Sequence, residues 1–269
     1  MRLMPSAIAA CTRFSLAAML QYRGEIILWA VWGVIYPAVA MAMWGAALHG
    51  APQEGGIKGF GQRDFAAYFL LTMVVGHLCT AWDIYEMGYL VRSGLLSPKL
   101  LRPILPLWTS AADNAAYKIL TLAILMPIWL GVAWFVRPVF TTGWAHLLLG
   151  VPALLLAATL SFLWGYVVSL VAFWTTRTDA VAESWFGASL MLGGRMAPLA
   201  LLPLPLQWAA AALPFKWIIW FPCELLMGRL SVAQAWAGLA WQAAWTVLGL
   251  VVFRLFWSAA LKRYSAVGA

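Results

Sequence analysis

The side chains that could carry out chemistry are few and scattered along this sequence. His49, His77 and His146 lie in three separate segments, without the H-x-x-x-H or H-E-x-x-H spacing that brings two imidazoles to one metal ion. For His77, which lies well inside an apolar stretch, we expect a buried hydrogen bond to a neighbouring helix. The three cysteines stand apart, which predicts buried thiols and neither a disulfide framework nor a zinc site. The pattern indicates no cofactor, no metal and no catalytic centre on this chain.

Nucleotide chemistry is not indicated either. No G-x-x-x-x-G-K-[ST] sequence occurs, and the glycine cluster Gly55–Gly61 lacks the serine or threonine that would follow Lys58 in a phosphate loop. The cluster is typical of a flexible loop. Any ATP that drives this protein must therefore be hydrolysed on another chain.

Arg195 is the clearest charged residue within an apolar stretch, and ionised side chains in a bilayer are costly and usually face a cavity or a partner. It follows Gly193 and Gly194 and precedes Pro198, so we expect the helix to break here. Arg195 would then face an aqueous cavity or, alternatively, extend to the outer lipid head groups. Four carboxylates lie at the ends of apolar runs, where pairing with nearby arginines is favoured over a proton pathway: Asp83, Glu86, Asp179 and Glu183.

A basic amphipathic stretch, Arg92–Pro103, separates two long apolar runs, and we call it the basic segment. Gly94 can supply a turn, and Ser97 is a favourable N-cap that places Pro98 in the first helical turn. Pro103 would end the helix. The expected structure is a short helix on the membrane surface, which suggests mechanical coupling more than chemistry.

The faces of this short helix are expected to differ. Leu100 and Leu101 would lie on one side, and Lys99 and Arg102 would be free to meet an anion or a partner. The preceding apolar run is expected to continue as a helix past the membrane edge and so to deliver the basic segment into the cytoplasm.

These residues are carried by a chain of 269 residues that is 64% hydrophobic and 10% charged, against roughly 25% charged in soluble proteins. Its apolar runs are long enough for roughly 30 Å of hydrocarbon, so we predict an all-α integral membrane protein with one domain, 1–269, and six transmembrane helices. The six runs lie near 26–48, 65–86, 115–136, 145–174, 184–202 and 236–260.

The net charge of +8 comes from basic residues at the ends of these runs and not from a soluble basic face. Nucleic acid is therefore not expected as a partner. Most of the lysines and arginines fall in segments that are cytoplasmic if the N-terminus is inside, as the positive-inside rule favours. Both termini are therefore expected in the cytoplasm.

Local signals mark the elements between the spans. Residues 5–22 are too short and too polar to span, which predicts an interfacial helix leading into the first span. The glycine-rich stretch 49–64 predicts an external loop. Ser110 and Asp113 form a capping-box pattern that would start the third span, and Arg137-Pro138 would end it.

The stretch 203–222 is apolar yet contains four prolines, at positions 203, 205, 214 and 222, and we call it the proline segment. Four prolines exclude one straight span, although apolarity keeps the segment at the membrane. A helix, a break and a second helix that dip into the outer leaflet are expected, with the freed backbone groups covered by protein or facing water.

The order and spacing of several short motifs resemble those of the type-two ABC export permeases, in particular the six-span ABC transporter permeases. The resemblance runs nearly end to end. Its motifs are Tyr22-Arg-Gly-Glu25, Gly94-Leu-Leu with Leu100-Leu-Arg-Pro103, Gly193-Gly-Arg-Met-Ala-Pro198, Leu202-Pro203, Leu213-Pro-Phe215, Phe221-Pro222, Gly228-Arg-Leu-Ser231 and the tail Leu261–Gly268.

This resemblance implies a cytoplasmic coupling helix between spans two and three and a re-entrant outer segment between spans five and six. The coupling helix would dock on a separate ABC ATP-binding subunit, which would hold ATP and magnesium, and the interfacial helix would rest against the same subunit. The residues implied in coupling are Arg92, Gly94, Leu95, Leu96, Ser97, Lys99, Leu100, Leu101, Arg102 and Pro103. The residues implied in an outer gate are Pro203, Pro205, Pro214, Phe215 and Pro222.

Two permease chains and two ATP-binding chains would make one exporter in the bacterial inner membrane, surrounded by lipid. The second permease would be a copy of this chain or a related one. An ion-coupled secondary transporter is the alternative, but it would need carboxylates within the spans, and those present lie at span ends. A membrane-embedded enzyme is less favoured, because no constellation of His or Asp residues occurs at one level of the bilayer.

Overall fold

The computed structural model of this chain describes residues 5–49, 56–175 and 177–264. Within these ranges the structure consists of helices and turns, with no strand beyond a single bridge between Ile57 and Phe60. The terminal residues 1–4 and 265–269, at the two ends predicted to be cytoplasmic, lie outside the described residues. So do residues 50–55 of the predicted loop 49–64.

Twelve α-helices occupy the described ranges, and two short 3-10 turns, Leu170–Phe173 and Leu199–Leu201, join some of them. The helices are α1 (Pro5–Gln21), α2 (Arg23–His49), α3 (Gln62–Leu78), α4 (Asp83–Arg92), α5 (Leu96–Leu100), α6 (Pro106–Val136), α7 (Trp144–Ser169), α8 (Thr178–Leu192), α9 (Leu204–Ala211), α10 (Phe215–Ile218), α11 (Trp220–Leu226) and α12 (Val232–Arg263).

Five segments in the described ranges are long and apolar enough to cross a membrane, which confirms the prediction of an all-α membrane protein. They are Gly24–Leu48, Gln62–Arg92, Pro106–Val136, Trp144–Phe173 and Val232–Arg263. A sixth span results if α9 and the following pair α10–α11 are counted as one broken crossing, with a bend of 74° between them.

The predicted fifth span, 184–202, is not one helix. α8 begins earlier, at Thr178, has 15 residues, and ends at Leu192. Gly194 then adopts a φ of +84°, which an L side chain rarely adopts, and Pro198 follows with an extended backbone. The predicted break at these glycines is therefore confirmed, and it cuts the apolar run short.

The start of the third span also differs from the prediction. α6 begins at Pro106, whose missing N–H is not needed in a first helical turn, so Ser110 and Asp113 lie inside the helix and form no capping box. The predicted end is confirmed, because Arg137 adopts a left-handed φ of +46° after Val136. A capping box does occur at the start of α12, between Ser231 and Gln234.

Side-chain contacts divide the bundle into two ends. At the first end, which we call the α5 end, the last turns of α4, α7 and α12 surround α5 in one buried apolar cluster. At the opposite end, the chain after α6 meets the chain after α11: Thr141 donates to the Met227 carbonyl at 2.9 Å, and His146 Nε2 lies 2.7 Å from the Leu230 carbonyl. The basic segment and the proline segment therefore lie at opposite ends of the helix bundle.

Candidate functional site

The basic segment forms a tight reversal followed by one short helix. α4 ends at Arg92, and Gly94 adopts a φ of +72°, which confirms the turn predicted there. The Ser97 N–H donates to the Gly94 carbonyl at 3.1 Å, so the helical turn closes at once.

The predicted N-cap is wrong by two residues. Leu95 occupies the N-cap of α5, without a side-chain cap, and Ser97 lies within the helix. Its hydroxyl is therefore available for another partner and lies 2.7 Å from the hydroxyl of Tyr264, just after α12. A residue expected to begin the helix instead attaches it to the last long helix.

The inner face of α5 is held by two further contacts. Leu96 is fully buried in the apolar cluster formed by the ends of α4, α7 and α12. Lys99 Nζ lies 3.0 Å from Glu86 Oε1 on α4, so the expectation that Lys99 is free was wrong. The helix is thus fixed to the bundle by packing, by an ion pair and by a hydrogen bond.

The outer face of the basic segment is open. Leu101 is 88% exposed, and Arg102 and Pro103 are also exposed. Leu100 packs against the apolar cluster, so the expectation that Leu100 and Leu101 share one side was wrong. Successive residues near a helix point about 100° apart, so neighbouring leucines cannot both face inward.

α4 also attaches the α5 end to α8. Arg92 Nη1 donates to Thr178 Oγ1 at 2.8 Å, and Gly88 lies so close to Thr178 that an added Cβ would come within 2.2 Å of Oγ1. The absence of a side chain at Gly88 therefore allows α4 and the start of α8 to meet. The carboxylate of Glu183 on α8 lies 3.4 Å from the Tyr85 hydroxyl.

A polar cluster that we did not predict lies between α1, α4 and α6. Asp113 on α6 accepts a hydrogen bond from Ser15 on α1, and Asp83 accepts one from Asn114 Nδ2 at 3.0 Å. The prediction that Asp83 and Glu86 pair with arginines was therefore wrong. The two aspartates and Glu86 line a cavity of about 190 Å³ between α1, α4 and α6. The i, i+3, i+4 spacing of Ser110, Asp113 and Asn114 was the signal for such a polar stripe.

At the opposite end, the proline segment has the predicted pattern of a helix, a break and a second helical part. Pro203 precedes α9, Pro205 lies in its first turn, and Pro214 precedes α10. The second part continues to Leu226, beyond the predicted limit of 222, and Pro222 lies in the first turn of α11, where proline is tolerated.

The five residues implied in a gate do not form one surface. Pro203 and Pro205 are exposed, whereas Pro214, Phe215 and Pro222 are buried. Phe215 packs against the Trp185 ring of α8, with centroids 4.6 Å apart. The segment therefore consists of an outlying helix, α9, and an anchored pair, α10 and α11.

Gln242 on α12 satisfies the backbone at the break. Its fully buried side-chain amide donates to the Trp217 carbonyl at 2.8 Å and to the Ala153 carbonyl of α7 at 3.1 Å. Backbone groups freed at membrane depth need such partners, as expected for this segment. Gly238, one turn earlier, lies against the ring of Phe221, where a Cβ would approach to 1.9 Å.

Arg195 lies in the turn between α8 and the proline segment. The backbone around it is fixed by three hydrogen bonds from other elements. They run from the Trp220 N–H to the Gly193 carbonyl at 3.0 Å, from the Tyr68 hydroxyl to the Gly194 carbonyl at 2.7 Å, and from Trp44 Nε1 to the Met196 carbonyl at 2.9 Å. The side chain extends towards Gly76 of α3.

His77 and His146 have structural partners. His77 Nε2 lies 2.9 Å from Thr121 Oγ1 on α6, which confirms the buried hydrogen bond expected for it. Among the described residues, no group of three or more His, Cys, Asp or Glu side chains could hold a metal ion.

Comparison with known proteins agrees with this architecture. The family model for the ABC-2 family transporter protein matches residues 34–268, from the middle of α2 to beyond α12. No curated protein and no solved structure matches the chain. The match includes the basic segment, the break at Arg195 and the proline segment. The chain belongs to the ABC-2 family of transporter proteins and is a multi-pass membrane permease of an ABC transporter.

Proposed function

We propose that this permease forms half of the translocation pathway of an ATP-driven exporter and that α5 docks on a separate ATP-binding subunit, which holds ATP and magnesium. The α5 end would face the cytoplasm of a bacterial inner membrane, with both termini on that side. The proline segment would then face outward, and cargo would leave past α9. A second permease chain, identical or related, would complete the pathway.

The observation that carries this proposal is the two-sided character of the basic segment. Leu96 is fully buried and Leu101 is 88% exposed, although only a few residues separate them. An exposed leucine beside Arg102, on a helix fixed from behind, suits a protein groove that takes an apolar side chain rimmed by polar contacts. The apolar cluster behind α5 holds this surface in place when a partner binds to it.

A displacement of α5 can be transmitted to the proline segment through a continuous series of contacts. The Ser97–Tyr264 hydrogen bond connects α5 to the end of α12. α12 packs along α7 and, through Gln242 and Gly238, contacts α7, the end of α10 and the first turn of α11. One long helix thus contacts both α5, from behind the docking surface, and the anchored half of the proposed gate, which supports mechanical transmission between them.

The first experiment asks whether an ATP-binding subunit accompanies the chain. The permease is purified gently from its native membrane, and ATPase activity and composition of the complex are measured. We expect a stoichiometric ATP-binding chain. If no such chain is present and transport persists without ATP, the proposal is wrong and the ion-coupled alternative is favoured.

The docking surface is tested by Arg102→Glu, with Arg63→Glu as the matched control. Both arginines are exposed, but Arg63 lies in the first turn of α3 at the opposite end. We expect Arg102→Glu to detach the ATP-binding subunit or to uncouple hydrolysis from transport, while the permease stays folded in the membrane. Equal effects of the two variants would contradict docking at the basic segment.

A further inference from the structure

Arg195 places a positive charge near the middle of the bundle. An added Cβ on Gly76 would lie 3.5 Å from Arg195 Nη1, and Gly76 is near the middle of the 31-residue segment Gln62–Arg92. The turn that carries Arg195 also contacts α2, where Trp44 Nε1 donates to the Met196 carbonyl at 2.9 Å. The guanidinium therefore lies against α3, away from both ends of the segment Gln62–Arg92.

This charge has no counter-ion in the described part of the chain. No ion pair there includes Arg195, and its Nε is fully buried without a hydrogen-bond acceptor. The paired carboxylates lie elsewhere, with Glu86 on Lys99 and with Asp64 and Glu224 on Arg229. A guanidinium whose Nε is buried without an acceptor is costly, so its retention at this depth indicates a ligand that supplies one.

The position of Arg195 is fixed in advance of binding. The three hydrogen bonds to the carbonyls of residues 193, 194 and 196 hold the turn against α2, α3 and α11. Because this backbone is already ordered, little conformational entropy would be lost when an anion binds. A guanidinium matches a phosphate or carboxylate with two parallel N–H donors.

α2 offers an apolar surface next to this charge. Exposed side chains recur along it at intervals of four, three and four residues, which places them on one helical face. They are Trp32, Tyr36, Val39 and Met43. The surface suits the tail of an amphipathic molecule whose head group is at Arg195.

We propose that Arg195 and Tyr36 bind the phosphate or carboxylate head group of an anionic amphipathic cargo at mid-membrane. This inference rests on the proposed transport function. Head groups of resident lipids lie at the edges of a hydrocarbon core roughly 30 Å thick, about 15 Å from its centre. An anion that reaches Arg195 is therefore one in transit across the bilayer.

The experiment measures the unfolding temperature of the full-length permease in dodecyl maltoside with increasing dodecyl phosphate. We expect saturable stabilisation of the wild type and an apparent Kd at least about tenfold higher for Arg195→Gln, since hydrogen bonds to a charged group are lost. Arg195→Lys should bind with intermediate affinity, because it keeps the charge but loses the paired donors. Arg254→Gln, which alters an exposed arginine of α12, should bind as the wild type does.

Three further ligands distinguish the sources of the anion. Inorganic phosphate lacks the tail and dodecyltrimethylammonium has the opposite charge, so neither should stabilise the protein. Equal stabilisation by either one overturns the proposal. Phosphatidylglycerol that displaces dodecyl phosphate with the same dependence on Arg195 shows a site for a bilayer lipid and overturns the assignment to cargo.

A second variant keeps the test independent of folding defects at Arg195. Tyr36→Phe removes only a partly exposed hydroxyl and should weaken dodecyl phosphate binding severalfold, whereas unchanged binding would contradict the role of Tyr36. The measurement uses the permease without ATP. Failure of anion binding therefore leaves docking of the ATP-binding subunit intact, and failure of docking leaves anion binding intact.

Discussion

Replacing Leu101 by alanine should weaken docking without weakening the permease itself. The side chain is 88% exposed, so little apolar contact is lost within the chain. If a partner groove buries it, the truncation removes three carbons at about 0.8 kcal/mol each, or about 2 kcal/mol in total. That loss corresponds to a Kd about 30-fold higher for the ATP-binding subunit.

Leu96→Ala is the matched comparison, since it makes the same change in the same segment at a fully buried position. It should lower the free energy of unfolding by about 2–5 kcal/mol, because it opens a cavity in the cluster behind α5. The assay has two measurements on each variant: titration of the labelled ATP-binding subunit onto the permease in nanodiscs, and thermal unfolding of the permease alone.

The reasoning is refuted by either of two results. One is an unchanged Kd for Leu101→Ala, which would mean that this leucine contacts lipid or solvent in the assembled transporter. The other is a loss of permease stability as large as that of Leu96→Ala, which would mean that Leu101 is not exposed.

The remaining predictions concern both ends of the bundle. A double-mutant cycle with Ser97→Ala and Tyr264→Phe should give a coupling free energy of about 1 kcal/mol, because each variant removes the same hydrogen bond of 2.7 Å. Arg229→Ala should lower the free energy of unfolding by about 3 kcal/mol, more than Glu224→Gln. It removes the guanidinium that lies 3.7 Å from the buried Glu224 carboxylate and so leaves that charge unpaired. A cysteine at Trp208, which is 74% exposed on α9, should react with an impermeant thiol reagent added outside the cell.

Controls follow from the same contacts. The labelling experiment uses a Cys11→Ser background, since the other two native cysteines are buried. A cysteine at Trp217, which is 8% exposed on α10, should stay unlabelled, and labelling of Trp208→Cys from the cytoplasm alone would reject the proposed orientation. Strictly additive effects in the double-mutant cycle would exclude the hydrogen bond. Equal losses from Arg229→Ala and Glu224→Gln would show that the carboxylate is not left uncompensated.

Much of the fold could be predicted because its signals are local. The lengths of the apolar runs predicted the long helices, and Gly94, Arg137 and Pro214 marked places where the chain must turn or break. The break at Gly193 was also predicted, but its consequence for span length was not. Whether α8 and the proline segment cross the membrane once, twice or not at all depends on how they pack. Hydropathy alone does not predict that packing.

The candidate sites were predicted less completely. A short helix in the basic segment was predicted correctly, yet the expectations for Ser97, Lys99 and Leu100 within it were wrong. Each of these side chains has a partner from another helix, and a short helix can rotate to satisfy such partners at little cost. Gln242 was missed because a single amide in an apolar helix forms no sequence pattern. Its role is visible only when the carbonyls to which it donates hydrogen bonds are known.

The sequence by itself determined that this is a helical membrane protein with a basic segment and a proline-broken segment, because composition, apolar length and the geometry of glycine and proline act over a few residues. Only the tertiary structure decided which face of α5 is open, which helix joins it to the far end, and that no described residue is a counter-ion for Arg195. Those features depend on residues distant in the chain, such as Ser97 and Tyr264, which are 167 positions apart. Packing brings such residues together, and no local pattern encodes that contact.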